Sequence, residues 1–408
     1  MNDKLRRDGR RIVDRAIGAV LPDEAVRRAL EGREFSGRVV LVAAGKAAWQ
    51  MARTAAECVR VSGGVVVTKY GHGKGDIPGL VCYEAGHPVP DENSFRATEA
   101  AIDAVTGLTA EDTVLFLLSG GGSALFERPL LPPEELQDIT GQLLASGADI
   151  VEMNTIRKRL SAVKGGRFAQ LCRPAHVVSI VLSDILGDPL DMIASGPACA
   201  DRSTCAEAKA VAEKYGLRLS PLARELLARE TPKQADNVES VITGSVRELC
   251  AAAAEECRAL GYEPLMLTDR LCCQAREAGS FLASMVRTHA GQGRRLAFLA
   301  GGETVVRLTG SGKGGRTQEL ALAAAEGIEG LDALVLSVGS DGTDGPTDAA
   351  GGMVDGDTAG ELRRQGLRIY DVLQDNDAYH ALEKAEGLII TGPTGTNVND
   401  VAVALVNG

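Results

Sequence analysis

Five short apolar runs in this sequence stop abruptly, each at a glycine or serine carrying a polar or charged neighbour. Val39–Ala44 runs into Gly45-Lys46, Thr113–Leu118 into Ser119-Gly120-Gly121-Gly122-Ser123, and His176–Leu182 into Ser183-Asp184. Arg295–Leu299 leads to Gly301-Gly302-Glu303, and Ala333–Val338 to Gly339-Ser340-Asp341. Near-continuous apolar strands alternating with helical stretches predict parallel sheet covered on both faces. The carboxyl ends of such strands share one edge, where α/β folds bind their ligands. Five polar loops on such edges predict a site built from both halves of the chain.

The 408 residues exceed one ordinary core. Two domains are expected, 1–236 and 237–408, with residues 1–35 forming surface helices. Further strands are expected at Val65–Thr68, Leu80–Glu84, Val241–Ile242 and Glu263–Leu267, and helices over Ser94–Leu108 and Val246–Leu260. A net charge of −11 and only 3% aromatic residues argue against a nucleic-acid binder, which needs a basic surface and stacking platforms. The nine cysteines form no CxxC pair, and neither a signal peptide nor a run of about 20 apolar residues is present. The expectation is a cytoplasmic protein with reduced thiols.

Several residues could handle an anion. The Ser119–Ser123 run presents backbone amides without Cβ obstruction, which can nest around an anion. Lys46 follows a strand end and can neutralise phosphate or carboxylate oxygens. Positive charge also concentrates in Asn154-Thr155-Ile156-Arg157-Lys158-Arg159 and in Lys164-Gly165-Gly166-Arg167, where Lys164 is the better ligand candidate. In Ala300–Glu319, Gly310-Ser311-Gly312-Lys313-Gly314-Gly315-Arg316-Thr317 approaches a Walker A pattern, but arginine replaces its lysine and the context is wrong. Lys313 and Arg316 keep their physical value, since a guanidinium can fork two phosphate oxygens. Asp184, Asp188, Asp191, Asp341, Asp344 and Asp348 lie in strand-end loops, where carboxylates suit Mg2+ or a hydroxyl proton. Each of these also has a plain structural reading as a turn, a solvated face or a sheet-edge cap.

Taken in order, AAGKAAWQMA (43–52), EAGHPVPDENS (84–94), LSGGGSALF (118–126), NTIRKRLSAVKGGRFA (154–169), LSDILGDPLDMIASGP (182–197), AGGETVVRLTGSGKGGRTQELALA (300–323), SVGSDGTDGPTDAAGG (337–352) and TGPTGTNVNDVAVAL (391–405) resemble the class II glycerate kinases, the family with a MOFRL C-terminal domain. The resemblance spans nearly the whole chain without departure in these motifs, and nothing is carried over for residues 1–30. It implies an N-terminal Rossmann-like parallel-sheet domain and a smaller C-terminal α/β domain, with the site in the cleft. The implied reaction is ATP-dependent, Mg2+-assisted phosphorylation of D-glycerate to 2-phosphoglycerate. It makes Lys46, Asp184 and Arg316 the catalytic candidates. Ser119, Gly120, Gly121, Gly122, Ser123, Lys164, Glu303, Lys313 and Asp341 become candidates for substrate or phosphate, and Asp184, Asp188 and Glu303 for Mg2+.

Two other readings compete. A nicotinamide-dependent hydroxypyruvate reductase would want GxGxxG in its first βα turn, and AAGKAAWQMA lacks the second glycine. A non-catalytic binder of small anions would leave the acidic loops without a task. No nucleic-acid or membrane partner is expected, and a homodimer is compatible with the chain.

Overall fold

The computed structural model describes residues 2–408. Its contacts divide into two compact units. One contains Val26–Leu182 and Asp188–Thr243; the other contains the residues up to Ala25, Ser183–Gly187 and Gly244–Gly408.

The first unit is built on β1 (Val39–Ala44), β2 (Gly63–Lys69), β3 (Val81–Ala85), β4 (Thr113–Leu118), β5 (His176–Leu182) and β6 (Val238–Gly244), in the spatial order β3-β2-β1-β4-β5-β6. The pairs from β3 through β5 are parallel, with Val42 opposite both Val65 and Phe116. All six residues of β1 and of β4 are buried, as expected of central strands covered on both faces. Strand order reverses at the β1–β4 pair, the position where doubly wound sheets open a crevice. The helix Glu92–Val105 starts two residues before its expected position, because Asp91 caps it through the Ser94 amide. Beneath β4, Phe116, Phe126 and Phe168 pack with centroids 4.7–5.4 Å apart.

The second unit is built on β7 (Glu263–Leu271), β8 (Leu296–Gly302), β9 (Ala333–Gly339), β10 (Gly351–Asp355), β11 (Leu388–Ile389) and β12 (Asp400–Val406), in the order β11-β10-β9-β12-β8-β7. This sheet is mixed. β7 and β8 are parallel, while β12 lies antiparallel between β8 and β9. Asp400, the first residue of β12, is therefore opposite both Gly302 and Gly339, the last residues of β8 and β9. Strands β10, β11 and β12 have no counterpart among the sequence expectations.

The charged first helix, Asp3–Ala19, is more than a surface helix. Its apolar stripe of Leu5, Ile12, Val13, Ala16 and Ile17 joins the core formed by Val246–Ala259 and β8, β9 and β12. Arg6 is buried with it, its Nε 2.6 Å from Asp355. The compact units are thus discontinuous in sequence. An expected break at 236 stands against a transition after Thr243, and the chain's first helix packs with its last strands.

Candidate active site

In the first unit, the reversal of strand order sets two loops side by side. Lys46 N–H donates to the Gly120 carbonyl at 2.9 Å, and Ala47 N–H to Ser119 Oγ at 3.0 Å. Gly45 has φ 133°, and a Cβ there would lie 2.2 Å from Ser119 Oγ, so only glycine permits this approach. Ser119 is buried and fastens the two loops together. The amides of Gly120 and Gly121 donate to no protein group among the described residues. The Lys46 side chain is exposed and has no ion-pair partner there. Gly121 takes φ 88°, with His87 Cδ2 2.9 Å from where a Cβ would be. Burial, then Lys46 and Lys69, pushes the His87 pKa down. Beyond His87, a cavity of about 780 Å3 is walled by Tyr70, Pro88, Val89, Pro90 and Phe95.

Lys164 is placed differently from its expectation as an anion ligand. Its side chain is fully buried, and its ammonium meets Glu127, the Ser123 carbonyl at 2.8 Å and the Phe126 carbonyl at 3.2 Å. Burying a lysine is tolerable only with such partners. Lys164 therefore braces the turn that follows the glycine run and has no donor left for a ligand. Ser123 keeps its hydroxyl 3.3 Å from Ser195 Oγ, which donates to Asn154 Oδ1 at 2.9 Å.

Asp184 leaves β5 half-buried in the short Ser183–Gly187 segment, which packs with the second unit. Asp188 adopts φ 53°, and its Oδ1 is buried without a hydrogen-bond donor. An anionic oxygen without a donor suits a hard cation, and Mg2+ needs only one or two protein carboxylates beside phosphate oxygens. Among the described residues, no three His, Cys, Asp or Glu side chains converge into a complete metal cage.

In the second unit, the ends of β8 and β9 and the start of β12 gather charge around Arg316. Its Nε and Nη2 contact Asp400 at 2.6 and 3.0 Å, and its Nη1 contacts Glu303 at 2.8 Å. Three of the five guanidinium N–H groups are thereby used, leaving two. The side chain remains about one-third exposed. Burial pushes Asp400 up to about 6 despite Arg316, because Asp344 and Glu303 add negative charge nearby. The pKa of Arg316 is raised by its carboxylate partners, against the effect of burial. Asp341 lies at the same edge, since a Cβ on Gly339 would be 3.4 Å from an oxygen of both Asp341 and Asp400. Asp344 caps the helix Arg316–Ala324 by accepting from Gln318 N–H at 2.9 Å, and burial raises its pKa. Lys313 lies with Nζ 4.0 Å from the Tyr379 ring centroid, a cation–π contact.

Asp400 escaped the sequence reading although it anchors Arg316. Its one local signal is a carboxylate opening the apolar run Val401–Val406. Lys46, Ser119, Asp184, Glu303 and Asp341 were found at the ends of strands, whereas β12 runs the opposite way and delivers its first residue to the edge of β8 and β9.

Comparison with known proteins agrees with this arrangement. Residues 8–228 match the family described as Domain of unknown function (DUF4147), and residues 296–400 match the MOFRL family. A D-glycerate 2-kinase of Thermotoga maritima is 51% identical, the match covering 99% of each chain. A putative hydroxypyruvate reductase of Agrobacterium vitis is 39% identical over 97% of this chain and 93% of its own. The crystal structure of a glycerate kinase from Thermotoga maritima superposes with a TM-score of 0.96 at 50% identity, covering 99% of this chain and all of that one. With full-length relatives this similar and both domain families matched in order, the chain belongs to the glycerate kinase family.

Proposed function

We propose that this chain is an ATP-dependent glycerate 2-kinase that converts D-glycerate and ATP to 2-phosphoglycerate and ADP. The observation that carries the reading is the unpaired Lys46 beside two free glycine amides at the strand-order reversal, a ready receptor for phosphate oxygens. The apolar cavity beyond His87 has the size of a small-ligand pocket, and we assign it to the nucleoside.

Phosphoryl transfer asks a protein mainly for positioning and charge neutralisation. In our reading Lys46 neutralises phosphate oxygens, and Arg316 offers its two unused N–H groups to an anionic oxygen. Asp400 and Glu303 hold the guanidinium in one orientation beforehand, so little reorganisation accompanies reaction. Asp184 accepts the proton of the C2 hydroxyl as its oxygen bonds to phosphorus, and the bond to the ADP bridging oxygen breaks. Asp188, with Asp184, would hold Mg2+, which supplies positive charge to phosphate oxygens when bound.

Hydroxypyruvate reduction is less well supported, because the β1 loop has Ala47 where a dinucleotide fold needs its second glycine and places Lys46 in the turn. All nine cysteines are free and suit a reducing compartment, so we place the enzyme in the cytoplasm. No helix among the described residues is long and apolar enough to cross a membrane. Light scattering tests a homodimer. The deciding assay incubates the protein with ATP, Mg2+ and D-glycerate and identifies the product isomer by phosphorus NMR. Formation of 2-phosphoglycerate supports the reading; the 3-isomer, or no ADP release, removes it.

A further inference from the structure

The basic segment 157–167 contains five cations, and the fold uses four of them internally. Lys158 reaches Asp191 and Asp201 at 3.3 and 3.1 Å. Arg159, with no exposed surface, donates to the Thr155 and Ser203 carbonyls, Ser203 Oγ and Glu230. Lys164 is enclosed by Glu127 and two carbonyls, and Arg167 binds the Lys158 and Ser161 carbonyls. Arg157 alone has no hydrogen bond or ion pair among the described residues, although it is only partly exposed. Its nitrogens are not sealed from solvent, so water can serve them and an anion could take that water's place.

Its position indicates what it could receive. Arg157 lies one helical turn beyond Asn154 on Ile150–Leu160, hence on the same face. Asn154 Oδ1 accepts from Ser195 Oγ at 2.9 Å, and Ser195 Oγ is 3.3 Å from Ser123 Oγ in the glycine-run turn. The Asn154 amide nitrogen has only a weak contact with Met192 Sδ at 3.7 Å. Ala194 and Ser195 hold φ values of 50° and 61°, a left-handed conformation uncommon outside glycine. Ala194 Cβ occupies the space a Cβ on Gly122 would need, 2.8 Å away, so this strained pair is pressed against the loop. Burial lowers the Arg157 pKa against the pull of Glu127, and the charge of Arg157 is felt by Lys164.

We infer that Arg157 is the carboxylate receptor for the hydroxy-acid substrate, with the Ser123 hydroxyl and the Asn154 amide as donors beside it and Ser195 holding Asn154 in place. This rests on the kinase reading for its substrate class. A guanidinium matches the planar, two-oxygen geometry of a carboxylate, while an alcohol or amide could not use its charge.

The test compares wild type with Arg157→Gln and Arg157→Lys, using D-glycerate and its uncharged analogue glyceramide as acceptors, with D-glycerate binding also measured by calorimetry without nucleotide. Arg157→Gln is expected to raise KM for D-glycerate about 10- to 100-fold, the loss of one charged hydrogen-bonded pair. KM for ATP and Tm should hold, the preference for glycerate over glyceramide should shrink, and Arg157→Lys should recover part of the loss. Equal D-glycerate binding by wild type and Arg157→Gln, no binding by wild type, or a parallel loss for both acceptors overturns the inference. A wild type that binds D-glycerate through Arg157 but forms no phosphoglycerate would sink the kinase reading and leave the carboxylate site standing.

Discussion

Two glycine-rich loops, Ser119–Ser123 and Gly310–Gly315, look alike in sequence and differ in what they do with their amides. The first leaves Gly120 and Gly121 N–H groups unclaimed beside an exposed lysine. The second gives away every amide from Thr309 to Lys313 and keeps only those of Gly314 and Gly315 unclaimed among the described residues. Thr309 and Gly310 donate to Asn376 Oδ1, Ser311 to Asp375 Oδ1, Gly312 to the Asp375 carbonyl, and Lys313 to Asp377 Oδ1. Glycine serves close approach in both, to the segment 375–377 in one and to His87 and Ala194 in the other. A Cβ on Gly310 or Gly312 would come within 2.3–2.4 Å of Asp375 or Asp377. A glycine-rich motif thus becomes an anion receptor only where no nearby protein acceptor uses its N–H groups. The second loop contributes through Arg316, the residue that follows it.

If that contrast is right, the largest effects come from the cations each loop presents. Lys46→Ala and Arg316→Ala should each lower kcat by about 10²–10³-fold or more, in the range seen when transition-state charge stabilisation is removed. Lys46→Ala should leave Tm nearly unchanged, since its ammonium makes no hydrogen bond or ion pair among the described residues. Steady-state kinetics with thermal melts check both, and near-normal turnover would exclude either residue from the mechanism.

Asn376→Ala should next weaken the second loop's scaffold. It removes the acceptor for two amides and a donor to the Arg307 carbonyl, and should cost about 2–4 kcal/mol in urea unfolding. In the first loop no side chain accepts from Gly120 or Gly121, and the bracing falls to Ser119 and Lys164 instead.

Asp400 supplies a pH test. Its folded pKa of about 6 exceeds the unfolded value of about 3.9, so between them the native state holds the extra proton. The Asp400 contribution to stability is therefore greatest below about pH 4 and falls as pH rises toward 6, by up to about 3 kcal/mol. Unfolding free energies of wild type minus Asp400→Asn across pH 4–7 read this directly. Activity should move the opposite way. Wild-type kcat/KM should fall below about pH 6, where Arg316 loses its ionised partner, and the variant should lack that acid limb.

The smallest effect belongs to Lys313. With its ammonium over Tyr379, Lys313→Ala should change stability by about 0.5–1 kcal/mol and kcat/KM by only a few-fold. A kcat loss rivalling that of Arg316→Ala would place Lys313 on the phosphates instead.

Legibility in the sequence followed the range of the interactions. β1, β4, β5, β8 and β9 were readable because a strand buried on both faces must be apolar throughout, and their polar ends marked Lys46, Asp184, Glu303 and Asp341. Lys164 was readable as a special cation, but its commitment to Glu127 was not, because that partner lies 37 residues away. Arg157 looked like one more charge on a basic helix until its neighbours were found to be paired.

By itself the sequence determined the alternation of strands and helices, the two sheets and the loops where charge would collect. Those follow from local propensity and hydrophobic period. Only the tertiary structure decided that β12 inserts antiparallel between β8 and β9 to carry Asp400 to Arg316, and that the first helix joins the last strands. It also decided which amides of each glycine loop are used by the protein and which are left open. These outcomes depend on pairings between residues far apart in the chain, whose energies no local pattern encodes.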